Sequence, residues 1–268
     1  MGTDMKVALA QINTTVGDFP GNRAKIREFA RRGQQQGAQV VIFPELALCG
    51  YPPRDLVDKP SFVDRNRQEL ETLARETPDV SILCGFVSRP ETEAGKTASN
   101  SAAWLAGGQV QFVKTKMLLP TYDVFDEGRY FSPAQQQSVW PFCGRQWAVT
   151  ICEDICNDKN FWKKRLYTRD PVEELAQRGA NLLVNVSGSP YFIGKRSFRV
   201  EMLRAFALRY RVPVLFVNQV GGNDSLVFDG SSVALDQEGN IRAQACSFEE
   251  DLVCFDTETE RGEMHAQV

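Results

Sequence analysis

Short apolar runs recur along the whole chain and alternate with segments that have the periodicity of amphipathic helices. Apolar runs bounded by polar or turn residues predict buried strands. Strands are expected at residues 6–11, 39–43, 80–87, 101–105, 109–114, 147–151, 181–186, 214–217, 232–235, 241–245 and 252–255. Helices are expected at 21–36, 61–76 with Ser61 as its cap, 171–178 and 199–210, and another should begin just after Cys152.

The connections between these strands are of two kinds. Ala106-Gly107-Gly108 predicts a hairpin-like turn, whereas other connections contain helices. This mixture indicates an α/β fold in which two mixed sheets carry helices on their outer faces. The 268 residues are 43% hydrophobic and contain no long Pro-, Ser- or Gly-rich linker. We therefore expect residues 1–268 to form a single domain.

Composition excludes several classes of function. The net charge of −3 comes from interleaved acidic and basic residues, so a nucleic-acid-binding surface is not expected. No apolar stretch approaches the roughly 20 residues that cross a bilayer, and the N-terminus lacks the pattern of a signal peptide. Seven scattered cysteines do not resemble a secreted disulfide framework. Together these features favour a cytoplasmic protein that binds neither membrane nor nucleic acid.

A single histidine, His265, narrows the chemistry further. It stands in a polar tail, so Cys-His and Ser-His-Asp machinery and histidine zinc sites are disfavoured, and we expect no metal. The chain also lacks GxGxxG and GxxxxGK[ST] motifs, which would cradle nucleotide phosphates. A catalytic cysteine in this chain would need a carboxylate or an amine as its base.

Three reactive side chains follow predicted strands. Cys152 follows the apolar run in WAVTICEDICND, Glu45 follows Phe43-Pro44 in FPELALCGYPPRDL, and Lys116 is the third residue of KTKMLLPTYDVFDEGRYF. At a strand-to-helix corner, backbone N–H groups favour a thiolate, and a neighbouring ammonium does the same. Each residue also has an ordinary interpretation, because most free cysteines are small buried hydrophobes and strand ends often carry surface charges.

A glutamate, a lysine and a cysteine in this order and context resemble the nitrilase or carbon–nitrogen hydrolase superfamily, over nearly the whole chain. The long flanks narrow the resemblance. GYPPRDL, LPTYDVFDEGRYF and NQVGGNDSLVFDGSSVALD are similar to the glutaminase domain of glutamine-dependent NAD synthetases. The resemblance implies a four-layer α-β-β-α sandwich.

The resemblance also implies roles for the three residues. Cys152 would attack a carboxamide, and Glu45 would accept the thiol proton, return it to departing ammonia and then activate water. Lys116, with the backbone N–H just after Cys152, would stabilise the oxyanion. Glu127 would position Lys116 or the substrate amide.

Further residues are expected to bind glutamine by the same resemblance. They are Tyr51 and Tyr122, the hydroxyls of Ser187 and Ser189, and either Lys195 or Arg196 as the cation for the substrate carboxylate. Cys156 departs from the family, since relatives tend to carry an aromatic residue there.

In the resembled enzymes, a C-terminal domain uses ATP and Mg²⁺ to make NAD from nicotinic acid adenine dinucleotide and the released ammonia. The SGGxDS-type loop of that domain is missing here, so we expect glutamine hydrolysis without a cofactor, a synthetase domain or subunit as the ammonia acceptor, and a homo-oligomer. The alternatives are a free-standing amidase, N-carbamoyl hydrolase or nitrilase, or a dormant scaffold that docks on a synthetase.

Overall fold

In this computed structural model, which describes residues 5–90, 95–162 and 164–266, the strands form two large sheets and one small one. The strands are β1 (Lys6–Gln11), β2 (Val40–Ile42), β3 (Ser81–Ser88), β4 (Ser99–Ala106), β5 (Gln109–Thr115), β6 (Trp140–Phe142), β7 (Arg145–Ile151), β8 (Leu182–Ser187), β9 (Val214–Asn218), β10 (Val220–Asn223), β11 (Leu226–Asp229), β12 (Val233–Leu235), β13 (Ile241–Gln244), β14 (Asp251–Asp256) and β15 (Arg261–Gly262). The helices are α1 (Phe19–Gln35), α2 (Pro60–Glu76), α3 (Glu127–Tyr130), α4 (Pro171–Gln177) and α5 (Lys195–Tyr210).

The strand order brings several strand ends to the same edges of the sheets. One sheet has the order β15-β14-β1-β2-β3-β4-β5, and the other has the order β13-β12-β9-β8-β7-β6. β2 and β3 are parallel, and because β4 is antiparallel to both β3 and β5, β5 runs in the direction of β2. β7, β8 and β9 are parallel in the second sheet. The segments that follow β2 and β5 therefore leave the first sheet at one edge.

The two large sheets pack face to face through an apolar core. Val7, Val40 and Ala102 of one sheet lie in the same buried cluster as Val149 and Val184 of the other. At its centre the rings of Trp104 and Trp147 meet edge to face at a centroid distance of 4.8 Å.

Helices cover the outer faces of both sheets. α1 and α2 pack on the first sheet, where Phe29 and Leu73 contact the cluster around Ile82. α4 and α5 pack on the second through Leu175 and Phe206. The predicted four-layer α-β-β-α sandwich is confirmed. Within the described residues, no helix has both the length and the apolarity to cross a membrane.

Three local predictions were wrong. The helix expected after Cys152 is one short 3-10 helix, Cys152–Ile155, because the Asp154 carboxylate accepts a hydrogen bond from the Ile151 N–H and closes the turn on itself. Ser61 does not cap α2, which begins one residue earlier at Pro60 without a side-chain cap. His265 does not lie in an unanchored tail, since its Nδ1 is 2.8 Å from Asp251 Oδ2.

Truncating the central tryptophan should destabilise the fold without touching the polar residues described below. Trp104→Ala removes a fully buried indole between the sheets, and we expect the free energy of unfolding to fall by about 3–5 kcal/mol. Val227→Ala, at a half-exposed position, is the control and should change it by less than about 1 kcal/mol. Urea unfolding of both variants measures the difference, and equal stabilities would contradict this packing arrangement.

Candidate functional site

The Glu45 carboxylate lies in a sharp turn that follows β2. Leu46, directly after it, has a left-handed backbone with φ of 47°. The turn rests on β3 at Gly85, where a Cβ atom would come within 2.2 Å of the Leu46 nitrogen and 2.5 Å of the Pro44 carbonyl. A glycine is therefore required in β3 for Glu45 to reach its place, where it is fully buried.

The Lys116 ammonium lies between two carboxylates. Its Nζ is 2.7 Å from Glu45 Oε1 and 2.8 Å from each oxygen of Glu127. Lys116 is fully buried, and Glu127 is 6% exposed. The structure thus brings Glu45, Lys116 and Glu127 together, and the predicted role of Glu127, positioning Lys116 or the substrate amide, stays a prediction.

Other donors complete the surroundings of the two carboxylates. Asn100 Nδ2 donates to Glu45 Oε1 at 2.7 Å and to Glu127 Oε2 at 3.3 Å. The Tyr51 hydroxyl donates to Glu127 Oε1 at 2.9 Å, and the Gly188 N–H donates to Glu45 Oε2 at 2.8 Å. Each carboxylate is thus held in one orientation, which limits the cost of burying it.

Cys152 stands at the end of β7 with a left-handed backbone, φ of 42°. Asp154, also fully buried, holds this corner against the segment that carries Lys116. Its Oδ1 accepts the N–H groups of Met117 and Leu118 at 3.0 and 2.9 Å, and its Oδ2 accepts the Ile151 N–H at 3.1 Å. One carboxylate therefore fixes the residue before the cysteine and the residues after the lysine.

Burial and the neighbouring charges shift the pKa of Cys152. Burial raises the pKa of the Cys152 thiol, and the Glu45 charge adds to the rise, while Lys116 and the Ser187 hydroxyl oppose it. Lys116 therefore favours the thiolate, as expected from the sequence, but burial and the Glu45 charge act against it and the net shift of the pKa is upward. Two buried carboxylates outweigh one ammonium here.

The pKa values of the lysine and the second glutamate are also shifted. Burial alone would lower the pKa of Lys116, but the charges of Glu127 and Glu45 raise it well above its usual value, so the amine stays charged. Burial raises the pKa of Glu127 to about 7, with Lys116 opposing the rise and Glu45 adding to it.

The Cys152 side chain borders a cavity of about 460 Å³ between the 3-10 helix and the start of α5. Most of its lining is apolar, with a few polar groups, as in typical small-molecule sites. Residues that the sequence had nominated for substrate binding line it, namely Tyr122, Ser187, Ser189 and Lys195. Cys156 forms part of the wall at the place where an aromatic residue was expected.

Two nominated residues lie elsewhere. The Arg196 guanidinium donates to Ser247 Oγ at 3.2 Å, so of the two cations Lys195 is the one that lines the cavity. Tyr51 is buried behind Glu127 and does not line the cavity that Cys152 borders. The structure shows Tyr51 in contact with Glu127, and its contact with glutamine stays a prediction.

Sequence reasoning missed three charged residues of this cavity, namely Glu153, Lys164 and Arg199. Glu153 accepts hydrogen bonds from the hydroxyls of Tyr122 and Tyr167 at 2.9 and 3.0 Å, and burial raises its pKa. Arg199 is 2% exposed and pairs with Asp229 at 2.9 Å. The position of Glu153 next to Cys152 was a usable signal, whereas nothing in the sequence distinguished Arg199 from other helix arginines.

Removing the central cation should destabilise the protein. Lys116→Met leaves two buried carboxylates without their counter-ion, and we expect the free energy of unfolding to fall by about 3–5 kcal/mol. The control is Lys25→Met, whose ion pair with Glu250 is about one-third exposed and should contribute less than about 1 kcal/mol. Urea unfolding at pH 8 compares them, and equal stability of the two variants would refute the charge arrangement.

Comparisons with known proteins agree with this geometry. A model of the carbon–nitrogen hydrolase family matches residues 6–261. The glutamine-dependent NAD(+) synthetase of Synechocystis sp. is 43% identical over 265 residues, which are 97% of this chain and 48% of that protein. The chain thus spans about half the length of the curated relatives it matches.

Two solved structures extend the comparison. The glutamine-dependent NAD+ synthetase from Acinetobacter baumannii, in complex with ADP, has a TM-score of 0.87 and 36% identity, covering 99% of this chain and 48% of its own. A mutant amidase from Nesterenkonia sp. AN1 has a TM-score of 0.79 and 25% identity, covering 94% of this chain and 89% of its own, and carries an acetamide moiety bound covalently to its active-site cysteine. On the family match and the shared fold, this chain belongs to the carbon–nitrogen hydrolase family of enzymes.

Proposed function

We propose that this domain hydrolyses L-glutamine to glutamate and ammonia through a thioester on Cys152. The observation that carries the proposal is a buried Glu45–Lys116–Glu127 cluster whose charges act on the Cys152 thiol at the wall of a cavity of about 460 Å³. An acid, a cation and a thiol placed together in this way provide the general base, oxyanion stabiliser and nucleophile that amide cleavage requires.

The proposed reaction begins with the thiol. As the Cys152 sulfur attacks the carboxamide carbon, its proton moves to Glu45, and the oxyanion is stabilised by Lys116 and the backbone N–H of Glu153. Glu45 returns the proton to the leaving nitrogen, so that the C–N bond breaks and ammonia departs from a thioester. Water then attacks with Glu45 as base, and glutamate and the free thiol are released. The raised pKa of the thiol requires proton transfer during the attack and not before it.

The cavity offers opposite charges for the two ends of an amino acid. Glu153 lies directly beside Cys152 and suits the α-ammonium of glutamine, with Tyr122 and Tyr167 orienting its carboxylate. Lys195 begins α5, so its ammonium and the helix N-terminus both favour a carboxylate there. Ser189 supplies a further hydroxyl on the lining.

The relatives support the wider role. Since those of 34–43% identity are named glutamine-dependent NAD(+) synthetases, we infer that the ammonia serves NAD synthesis by a synthetase domain or subunit, and that ATP and Mg²⁺ are needed there and not for glutamine hydrolysis. We also infer a homo-oligomer in the cytoplasm. Seven unpaired cysteines suit a reducing compartment.

A substrate panel separates this function from its rivals. Ammonia release is measured from glutamine, asparagine, acetamide, an N-carbamoyl amino acid and a small nitrile, without ATP or metal. We expect the highest kcat/KM for glutamine. Preference for another amide or for a nitrile would favour a free-standing amidase, N-carbamoyl hydrolase or nitrilase. No turnover of any substrate, with the Cys152→Ala variant indistinguishable from the parent, would favour a dormant scaffold.

Glu45→Gln should abolish most activity and leave the fold intact. The amide keeps the shape of the side chain but cannot accept the thiol proton, so we expect kcat to fall by roughly 10²–10⁴-fold. Glu71→Gln is the same substitution at an exposed glutamate that pairs with Arg67, and it should keep full activity. Steady-state ammonia release measures both, and a Glu45→Gln variant as fast as Glu71→Gln would remove Glu45 from the mechanism.

Activity should fall below about pH 7 as Glu127 takes up a proton. The ionised carboxylate holds Lys116 beside Glu45, and its pKa of about 7 places the loss in that range. Stability should change in the opposite sense, because the folded state retains the Glu127 proton between about pH 4.5 and 7 while the unfolded chain has lost it. The contribution of Glu127 to stability therefore declines as pH rises through this window.

Profiles of kcat/KM and of urea unfolding, each for the parent and Glu127→Gln, test this titration. The Glu127→Gln variant should have a low kcat/KM, and neither its kcat/KM nor its stability in urea should change with pH in this range. Equal pH profiles for the two proteins would contradict the assignment to Glu127.

Glu153→Gln should weaken the binding of glutamine selectively. Losing the charge opposite the α-ammonium should raise KM for glutamine roughly tenfold to a hundredfold, while kcat/KM for acetamide, which has no amino group, should change little. The ratio of the two substrates' kcat/KM values is the measurement. An equal loss for both amides would show that Glu153 acts on the cysteine corner and not on the substrate's head group.

A further inference from the structure

A second group of reactive side chains lies away from Cys152, where the connection between β13 and β14 meets the segment after β15. Cys246, Asp251 and His265 each direct one potential ligand atom to a common point, with the sulfur, oxygen and nitrogen all within 4.8 Å of one another. All three residues are half-buried, so that solvent reaches the group.

The backbone holds each of the three in place. Gln11 Nε2 donates to the Cys246 carbonyl at 2.8 Å, and the Cys246 N–H donates to Asp251 Oδ2 at 2.8 Å. The His265 N–H donates to the Gln244 carbonyl at 2.9 Å, which fixes the segment containing His265 beside β13. Cys246 and Asp251 belong to one short connection, and His265 comes from the segment after β15, so two parts of the chain form the group.

We propose that Cys246, Asp251 and His265 form a binding site for a divalent transition-metal ion of the Zn²⁺ type. A thiolate, an imidazole and a carboxylate are its usual protein ligands, and three of them leave one position for water. In a tetrahedral site such ligand atoms lie about 3.5 Å apart. Here His265 Nδ1 and Asp251 Oδ2 are 2.8 Å apart and all three ligand atoms lie within 4.8 Å of one another, so small side-chain movements would admit an ion. Binding releases the Cys246 thiol proton to solvent.

The surroundings favour a cation over a second nucleophile. The Cys246 thiol interacts with the Asp251 carboxylate and lies near that of Glu249, so the surroundings of the sulfur are negatively charged. Negative charge that disfavours a free thiolate attracts a metal ion, which then makes the thiolate stable. The site would fasten the segment around His265 to the β13–β14 connection.

Zinc binding is tested by competition with a chromogenic chelator at pH 7.5, in a Cys152→Ala background that removes the other reactive thiol. We expect one Zn²⁺ per chain, with the affinity reduced at least about tenfold by Cys246→Ser and by His265→Ala. Cys143→Ser, which replaces an exposed cysteine elsewhere, is the matched control and should bind as the parent does. His265→Gln is included as a milder substitution. Far-UV circular dichroism of every variant checks that it is folded.

A second readout is thermal unfolding with and without Zn²⁺. The ion should raise the midpoint of the Cys152→Ala protein and of the Cys143→Ser control, but not that of the Cys246 and His265 variants. The proposal is overturned if no zinc binds, or if folded Cys246→Ser and His265→Ala variants bind it as tightly as the parent. It is equally overturned if binding is lost only in Glu238→Gln, which would place the ion at the acidic group of Asp236, Glu238 and Glu260.

Discussion

The buried ammonium of Lys116 is the interaction on which the site depends. An ion pair removed from water is costly unless every charge is matched and hydrogen-bonded. Here one ammonium meets two carboxylates, and Asn100 donates to both of them. Burial raises the pKa of the adjacent Cys152 thiol, and the excess negative charge that the cluster carries when both carboxylates are ionised adds to the rise. The proposed mechanism therefore starts from a thiol on Cys152 whose proton Glu45 would accept.

Topology explains how distant residues meet at this ammonium. Glu45 follows β2 and Lys116 follows β5, and because these strands run in the same direction, both residues emerge at one edge of the first sheet. Cys152 follows β7 in the facing sheet, and Asp154 ties its corner to the lysine segment through three backbone N–H groups. Close approach of the layers depends on Gly188, where a Cβ atom would lie 3.2 Å from a Glu45 oxygen.

Sequence patterns predicted the strands of this protein better than the contacts between its polar side chains. The apolar runs located the long strands because burial on both faces requires continuous hydrophobic residues, and β1 matches its predicted range. The short strands β6 and β10 were not predicted, because Pro141 in the first and Gly221-Gly222 in the second are typical of turns. Glu45, Lys116 and Cys152 were identified because each follows an apolar run that predicts a strand. Asn100, within β4, was missed because its partners are distant in sequence and only the folded sheet brings them together.

The most direct test of the account is intact-protein mass spectrometry with peptide mapping after incubation with 6-diazo-5-oxo-L-norleucine, an electrophilic glutamine analogue. A nucleophile poised beside an amino-acid-binding cavity should take up one adduct, confined to Cys152, and glutamine should protect it. Cys156 lines the same cavity and serves as an internal control for mere accessibility. A label on Cys156, a label on several cysteines, or an unmodified Cys152 would contradict the central claim that the buried Glu45–Lys116 pair activates this one thiol.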